Sequence, residues 1–171
     1  INQVKTKLKV HVIAEAFVGE ANGVYTAIVQ VLRALKSRDD VEILEKDKIH
    51  ESDVIHAHTI GMGYVWKSFF YRRKMIVSAH VVPDSFIGSL VLSQLWRPIA
   101  KWYLKFVFNR ASLVVAVSPV VKEELTKLGV KTPIEVLCNS VNRDRFKPDA
   151  SARSDIRKRL GVSDQAFIVT C

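Results

Sequence analysis

The run MIVSAHVVPDS, residues 75–85, carries a lone histidine, His80, out of a short β-type stretch and into a turn forced by Pro83 and Asp84. An imidazole takes or gives a proton near neutral pH, so a histidine at such an edge suits acid–base or hydrogen-bonding work on a ligand. The same position suits a histidine that only caps its strand. Upstream, DVIHAH sets His56 and His58 two residues apart, on one face of a strand. That spacing invites a metal, but zinc takes three or four ligands, and no Cys, Asp or Glu stands at a supporting distance in the sequence. No metal site is expected. A third cue is Gly23, which follows the polar loop Gly19–Asn22 and opens a helix. Strand, glycine loop and helix is an arrangement that turns backbone N–H groups toward an anion. The spacing is not G-x-G-x-x-G, and glycine also starts helices for steric reasons alone.

Positioning these residues requires a scaffold, and the chain supplies alternating strands and helices. LKVHVIAEA is a nearly continuous apolar strand of the kind covered on both faces. GVYTAIVQVLRALKS puts Val24, Ile28, Val31, Leu32 and Leu35 at helical spacing. Val41–Glu45 and Asp53–His58 read as further strands; Thr59, Gly61, Met62 and Gly63 then turn into a helix Tyr64–Tyr71 closed by Arg72, Arg73 and Lys74. The stretch Phe86–Arg110 is helical and rich in aromatics, including Trp96 and Trp102. Arg97, Lys101 and Lys105 fall four apart on it as one narrow cationic stripe. Pro98 either begins a second helix there or kinks a single long one. SLVVAVS is a buried strand, after which Ser118 and Pro119 start a helix that stops at Gly129. Ile134–Cys138 is the next strand, leading into NSVNRDRFKP; a charged helix over 151–160 follows, and a fresh strand is expected from Ala166.

The pattern predicts an α/β fold: a Rossmann-like, doubly wound parallel sheet with helices on both faces. Residues 1–148 form the main domain, and residues 149–171 a linker helix plus the first strand of a second, truncated domain. Ligands of such sheets sit beyond the carboxyl ends of the strands. Cys138 and Cys171 lie in apolar runs and are expected to be buried thiols in a reducing, cytoplasmic compartment. No secretory leader and no apolar run of spanning length is seen. The formal charge of +9 asks for an anionic partner. Neither a P-loop nor an RNA-binding aromatic signature is present, so nucleic acid is not the expected partner. A cationic stripe beside aromatics is what a membrane-interface helix looks like, and also what a helix lying on a sheet looks like.

Five segments in order carry a family resemblance: the loop around Gly23, DVIHAHT, SAHVVPDS, VVAVSPVVKEEL and VLCNSVNRDRFKP. Together they resemble the N-terminal, acceptor half of a retaining GT-B fold glycosyltransferase of the family 4 type. That large family includes sucrose synthases and bacterial lipid glycosyltransferases, and the chain is most similar in feel to the diacylglycerol glycosyltransferases. The sequence departs from the family where Asn139, Ser140, Val141 and Asn142 replace Asn-Gly-Val-Asp. The resemblance implies transfer of a sugar from a UDP- or GDP-sugar donor substrate, with no tightly bound cofactor. It implies His80 beside the reacting sugar, Asn22, Gly23 and Asn139 near the donor, and His58, Thr59, Asp84 and Ser118 along the acceptor cleft. A lipid or sugar acceptor is implied, with docking to the anionic inner face of the plasma membrane through Arg72, Arg73, Lys74, Trp96, Arg97, Lys101, Trp102 and Lys105. The family's paired glutamates, eight positions apart in the C-terminal donor half, have no counterpart here, so this half alone is expected to be inactive. The competing reading is a Rossmann-like nucleotide or nucleic-acid binding module without catalysis.

Overall fold

Short runs of β-branched and aliphatic residues separated by amphipathic helices leave few arrangements open, because parallel neighbours need a crossover between them. The computed structural model describes residues 7–15, 23–80, 93–141, 143 and 146–169. Its strands are β1 (Leu8–Ile13), β2 (Val41–Ile43), β3 (Val54–Ala57), β4 (Met75–Ala79), β5 (Leu113–Ala116) and β6 (Ile134–Val136). The helices are α1 (Gly23–Lys36), α2 (Met62–Tyr71), α3 (Ser93–Phe108), α4 (Pro119–Leu128) and α5 (Ala150–Leu160). One six-stranded sheet results, in the order β2-β1-β3-β4-β5-β6, and every pairing is parallel. This is the doubly wound architecture that the sequence predicts.

Ile55, Ala57, Met75, Val77, Ala79, Val114 and Ala116 in the central strands are fully buried, as are Tyr64, Leu104 and Leu125 from the helices. Each large side chain withdrawn from water contributes about 1.5–3 kcal/mol before entropy is subtracted. Two compact units are separable, one ending at Ser140 and the other starting at Val141.

The helix expected from Tyr64 begins earlier, at Met62, because Gly61 is its N-cap. Pro98 lies inside the single helix α3, which forgoes one backbone hydrogen bond there; the part of that expected helix before Ser93 lies outside the described residues. Helix α4 starts and stops as its sequence predicts: Ser118 accepts from the Val121 N–H, and Gly129 closes it at φ 85°.

Two expectations are corrected. The strand predicted to reach Cys138 ends at Val136, and Cys138 is exposed, not buried. Among the described residues β6 is an edge strand paired with β5 alone, and Cys138 lies beyond its end. Cys171 lies outside the described residues. The strand predicted from Ala166 does not form among residues 166–169. In the second unit Asp149 caps α5, Gly161 closes it, and the nearly buried Arg157 donates to the carbonyls of Ser163 and, at 2.7 Å, Ala166. The Ala166 carbonyl is thus held by a side chain and has no strand neighbour.

Candidate functional site at the carboxyl edge of the sheet

All strands point the same way, so their carboxyl ends collect the polar residues that follow them. Glu15 follows β1, His58 and Thr59 follow β3, His80 follows β4, Ser118 lies beyond β5 and Asn139 beyond β6. The strand order reverses between β1 and β3, where a crevice is expected in this architecture.

Glu15 organises that reversal point. Its own N–H donates to Thr59 Oγ1 at 2.9 Å, tying the ends of β1 and β3 together. Its carboxylate Oε1 accepts the Tyr64 N–H at 2.7 Å. Gly61, at the N-cap of α2, has no side chain to do this, so a residue from another element caps the helix and meets its positive end. The glycines leave room for it. A Cβ on Gly63 would stand 2.6 Å from Glu15 Oε1, and one on Gly61 would collide with Oε2. Tyr103 donates its hydroxyl to the Ile60 carbonyl beside this cap, and burial together with the Glu15 charge raises its phenol pKa.

Three histidines sit next to it. His56 Nε2 and Ser78 Oγ are 2.9 Å apart, and the His56 and His58 ring centroids are 4.1 Å apart. His58 Nδ1 lies 3.5 Å from His80 Nε2. His58 is only 4% exposed, whereas His80 is half-buried at the rim. Burial, reinforced by its imidazole neighbours, pushes His58 down to about 3. Burial with His80 nearby pushes His56 down to about 4, and burial lowers His80 from its ordinary value. These rings are therefore neutral at physiological pH. His58 Nε2 is buried without a hydrogen-bond partner among the described residues. No group of three or more His, Cys, Asp or Glu among the described residues is arranged to hold a metal ion.

The remaining sequence candidates scatter. Gly23 opens α1, and among the described residues nothing lies within 4 Å of where its Cβ would be. Asn139 is exposed, and the neighbouring Ser140 Oγ bonds Gln30 at 3.2 Å. Ser118 uses its hydroxyl to cap α4. Asn22 and Asp84 lie outside the described residues. Arg72, Arg73 and Lys74 are exposed just after α2; Arg72 donates to the Asn109 carbonyl at 3.1 Å and Lys74 to the Ser52 carbonyl at 2.6 Å. On α3, which also contains Trp96, the side chains of Arg97, Lys101, Trp102 and Lys105 line a cavity of about 600 Å³ together with Glu124 and Lys127 of α4.

Sequence reading overlooked two features. One is Glu15, which sits in an apolar run with no motif around it. The other is the outer face of α2, where Met62, Trp66, Phe69 and Phe70 are 77%, 69%, 57% and 67% exposed. Their spacing of four, seven and eight along the helix, opposite the buried Tyr64 and Ser68, was the available signal. Tyr64 anchors α2 to α3 through a 2.8 Å bond from its hydroxyl to the Val107 carbonyl, and Arg110 lies 4.4 Å over the Phe69 ring while donating to the Ser68 carbonyl. The exposed aromatics of α2 and α3 are thus held on adjoining helices. No described helix is long and apolar enough to cross a membrane.

Comparison with known proteins agrees with the fold. The chain is 29% identical over 170 residues to an alpha-galactosylglucosyldiacylglycerol synthase of Streptococcus pneumoniae, covering 96% of this chain and 46% of that protein. It is 33% identical over 73 residues to a GDP-mannose-dependent alpha-(1-6)-phosphatidylinositol monomannoside mannosyltransferase of Mycolicibacterium smegmatis, covering 42% of this chain and 19% of that one. The chain therefore spans about half the length, or less, of these curated relatives. Its fold is similar to that of Anabaena Alr3699/HepE, solved with UDP and glucose (TM-score 0.66, 18% identity, 90% of this chain, 50% of that one) and with UDP-glucose (TM-score 0.63). At that identity the likeness concerns fold alone, and it covers half of that chain. The Glycosyltransferase Family 4 model matches residues 9–145, most of the chain, and the chain belongs to that family.

Proposed function

We propose that this chain is the acceptor-side half of a retaining glycosyltransferase, which moves a sugar from a UDP- or GDP-sugar to a lipid acceptor while docked on an anionic membrane surface. The observation that carries the membrane part is the set of apolar side chains that α2 and α3 leave exposed. Met62, Trp66, Phe69, Phe70, Ile99 and Trp102 are exposed there, with Arg72, Arg73, Lys74, Arg97, Lys101 and Lys105 close to them in the chain. Water-exposed aromatics combined with cations fit a lipid headgroup layer, where each basic residue near an anionic surface contributes about 1 kcal/mol. One curated relative is named for a glycolipid product and the other for a phosphatidylinositol-based substrate, which supports a lipid acceptor. On this reading the protein sits peripherally on the inner face of the plasma membrane.

At the sheet's carboxyl edge, His80 orients the reacting sugar or its acceptor. The departing phosphate of the donor assists the reaction itself, so no nucleophilic side chain is required of this half. Stabilising the pyrophosphate is electrostatic work that falls to a donor-binding half, and transfer needs both.

Vesicle flotation tests the docking. At low salt the chain is expected to bind vesicles containing anionic lipid and not purely neutral ones, and to detach as salt screens the charges. Replacing Trp66 and Phe70 together by serine is expected to weaken binding at least tenfold. Equal binding to neutral and anionic vesicles, or none to either, overturns the membrane reading.

A further inference from the structure

We infer that His58 is a positioning residue that fixes His80 in its Nδ1–H tautomer, so that His80 meets a bound ligand as a hydrogen-bond donor and not as a base. The role toward a ligand rests on the proposed function; the tautomer itself does not.

The argument begins with the proton count. A neutral imidazole has one N–H and one lone pair, and which nitrogen carries the proton follows from what each one faces. His58 has one nitrogen toward His80 and the other, Nε2, enclosed with no partner among the described residues. A buried orphaned N–H is rarer and costlier than an unfilled lone pair. The single proton of His58 therefore belongs on Nδ1, where it points at His80 Nε2, 3.5 Å away. That distance is long for a hydrogen bond, as such contacts often are before a ligand is bound. To receive this N–H, His80 must present a lone pair at Nε2, and its own proton is then confined to Nδ1.

His56 does not compete for the contact, because its Nε2 is already paired with Ser78 Oγ. Burial lowers the pKa of both rings, so each carries a single proton near neutral pH and the count above applies. An unrestrained histidine side chain in water prefers Nε2–H, so the Nδ1–H form of His80 marks the influence of His58. The consequence for a ligand is directional. His80 can donate to a hydroxyl or phosphate oxygen through Nδ1–H, while its basic nitrogen is turned toward His58.

Long-range 1H–15N NMR on the histidine-labelled chain near neutral pH distinguishes the two tautomers directly, with His80→Gln used for assignment. Both His58 and His80 are expected as Nδ1–H. His58→Asn keeps a side-chain N–H close to the Nδ1 position and is expected to leave His80 unchanged. His58→Leu removes that donor and is expected to move His80 predominantly to Nε2–H. The inference is overturned if His80 is Nε2–H in the unaltered chain, or if His58→Leu leaves it Nδ1–H. Should His58→Leu fail to fold, the tautomer of His80 in the unaltered chain decides by itself. Vesicle binding does not enter this readout, so failure of the flotation test would count against the proposed function while leaving the tautomer result intact.

Discussion

Glu15 and Gly61 constrain each other across the end of the sheet. A methyl on Gly61 has no space while the Glu15 carboxylate caps α2. Gly61→Ala is expected to destabilise the chain by roughly 1–3 kcal/mol, the usual range for overpacking. In a Glu15→Ala background that cost should fall by more than half, a coupling that urea melts of the four proteins would measure as a double-mutant cycle. The histidines give a second prediction. Their folded pKa values lie below the ordinary 6.5, so below that pH the unfolded chain binds more protons and stability drops as acid is added, down toward about 3 for His58. Between neutrality and pH 5 His58 alone accounts for on the order of 2 kcal/mol. His58→Asn should narrow the difference between melts at pH 7 and pH 5 by about that amount. His80 was legible in the sequence because a lone histidine ended an apolar strand. Glu15 was not, since its importance comes from the β1–β3 register, which puts Ile13 beside Ala57 and so brings Glu15 to Thr59.

Among the elements, α2 shows how far periodicity can be trusted. Its buried side, Tyr64 and Ser68, and its attachment to α3 follow from ordinary helix packing. Tyr64→Phe removes the bond to the Val107 carbonyl and is expected to cost about 1 kcal/mol in chemical denaturation, with little change in the far-ultraviolet spectrum. The outer side was harder to read, because a helix that is apolar nearly all round looks buried. In α2 the apolar residues are exposed instead. Turn chemistry was the most legible feature: Ser118, Pro119 and Gly129 bound α4 as local rules require. Strand β6 forms but stops two residues short of Cys138, and residues 166–169 form no strand, because an apolar run becomes a strand only as far as a neighbour offers a ladder.

For the whole molecule, the alternation of strands and helices made the doubly wound sheet readable, and the sheet in turn places His58, Thr59 and His80 on one edge. What one chain's sequence could not reveal is which polar residues distant contacts set to structural duty, as Glu15 is set to cap α2. In a longer protein that unites this half with a donor-binding half, His80→Ala is expected to lower sugar transfer at least about tenfold, the low end for a positioned catalytic group. Near-full activity in that variant would reduce His80 to a strand end. Phosphate-bearing molecules commonly seek the start of a helix. At α2 that berth is filled by the protein's own carboxylate, so a phosphate arriving at the sheet's edge finds the start of this helix already taken.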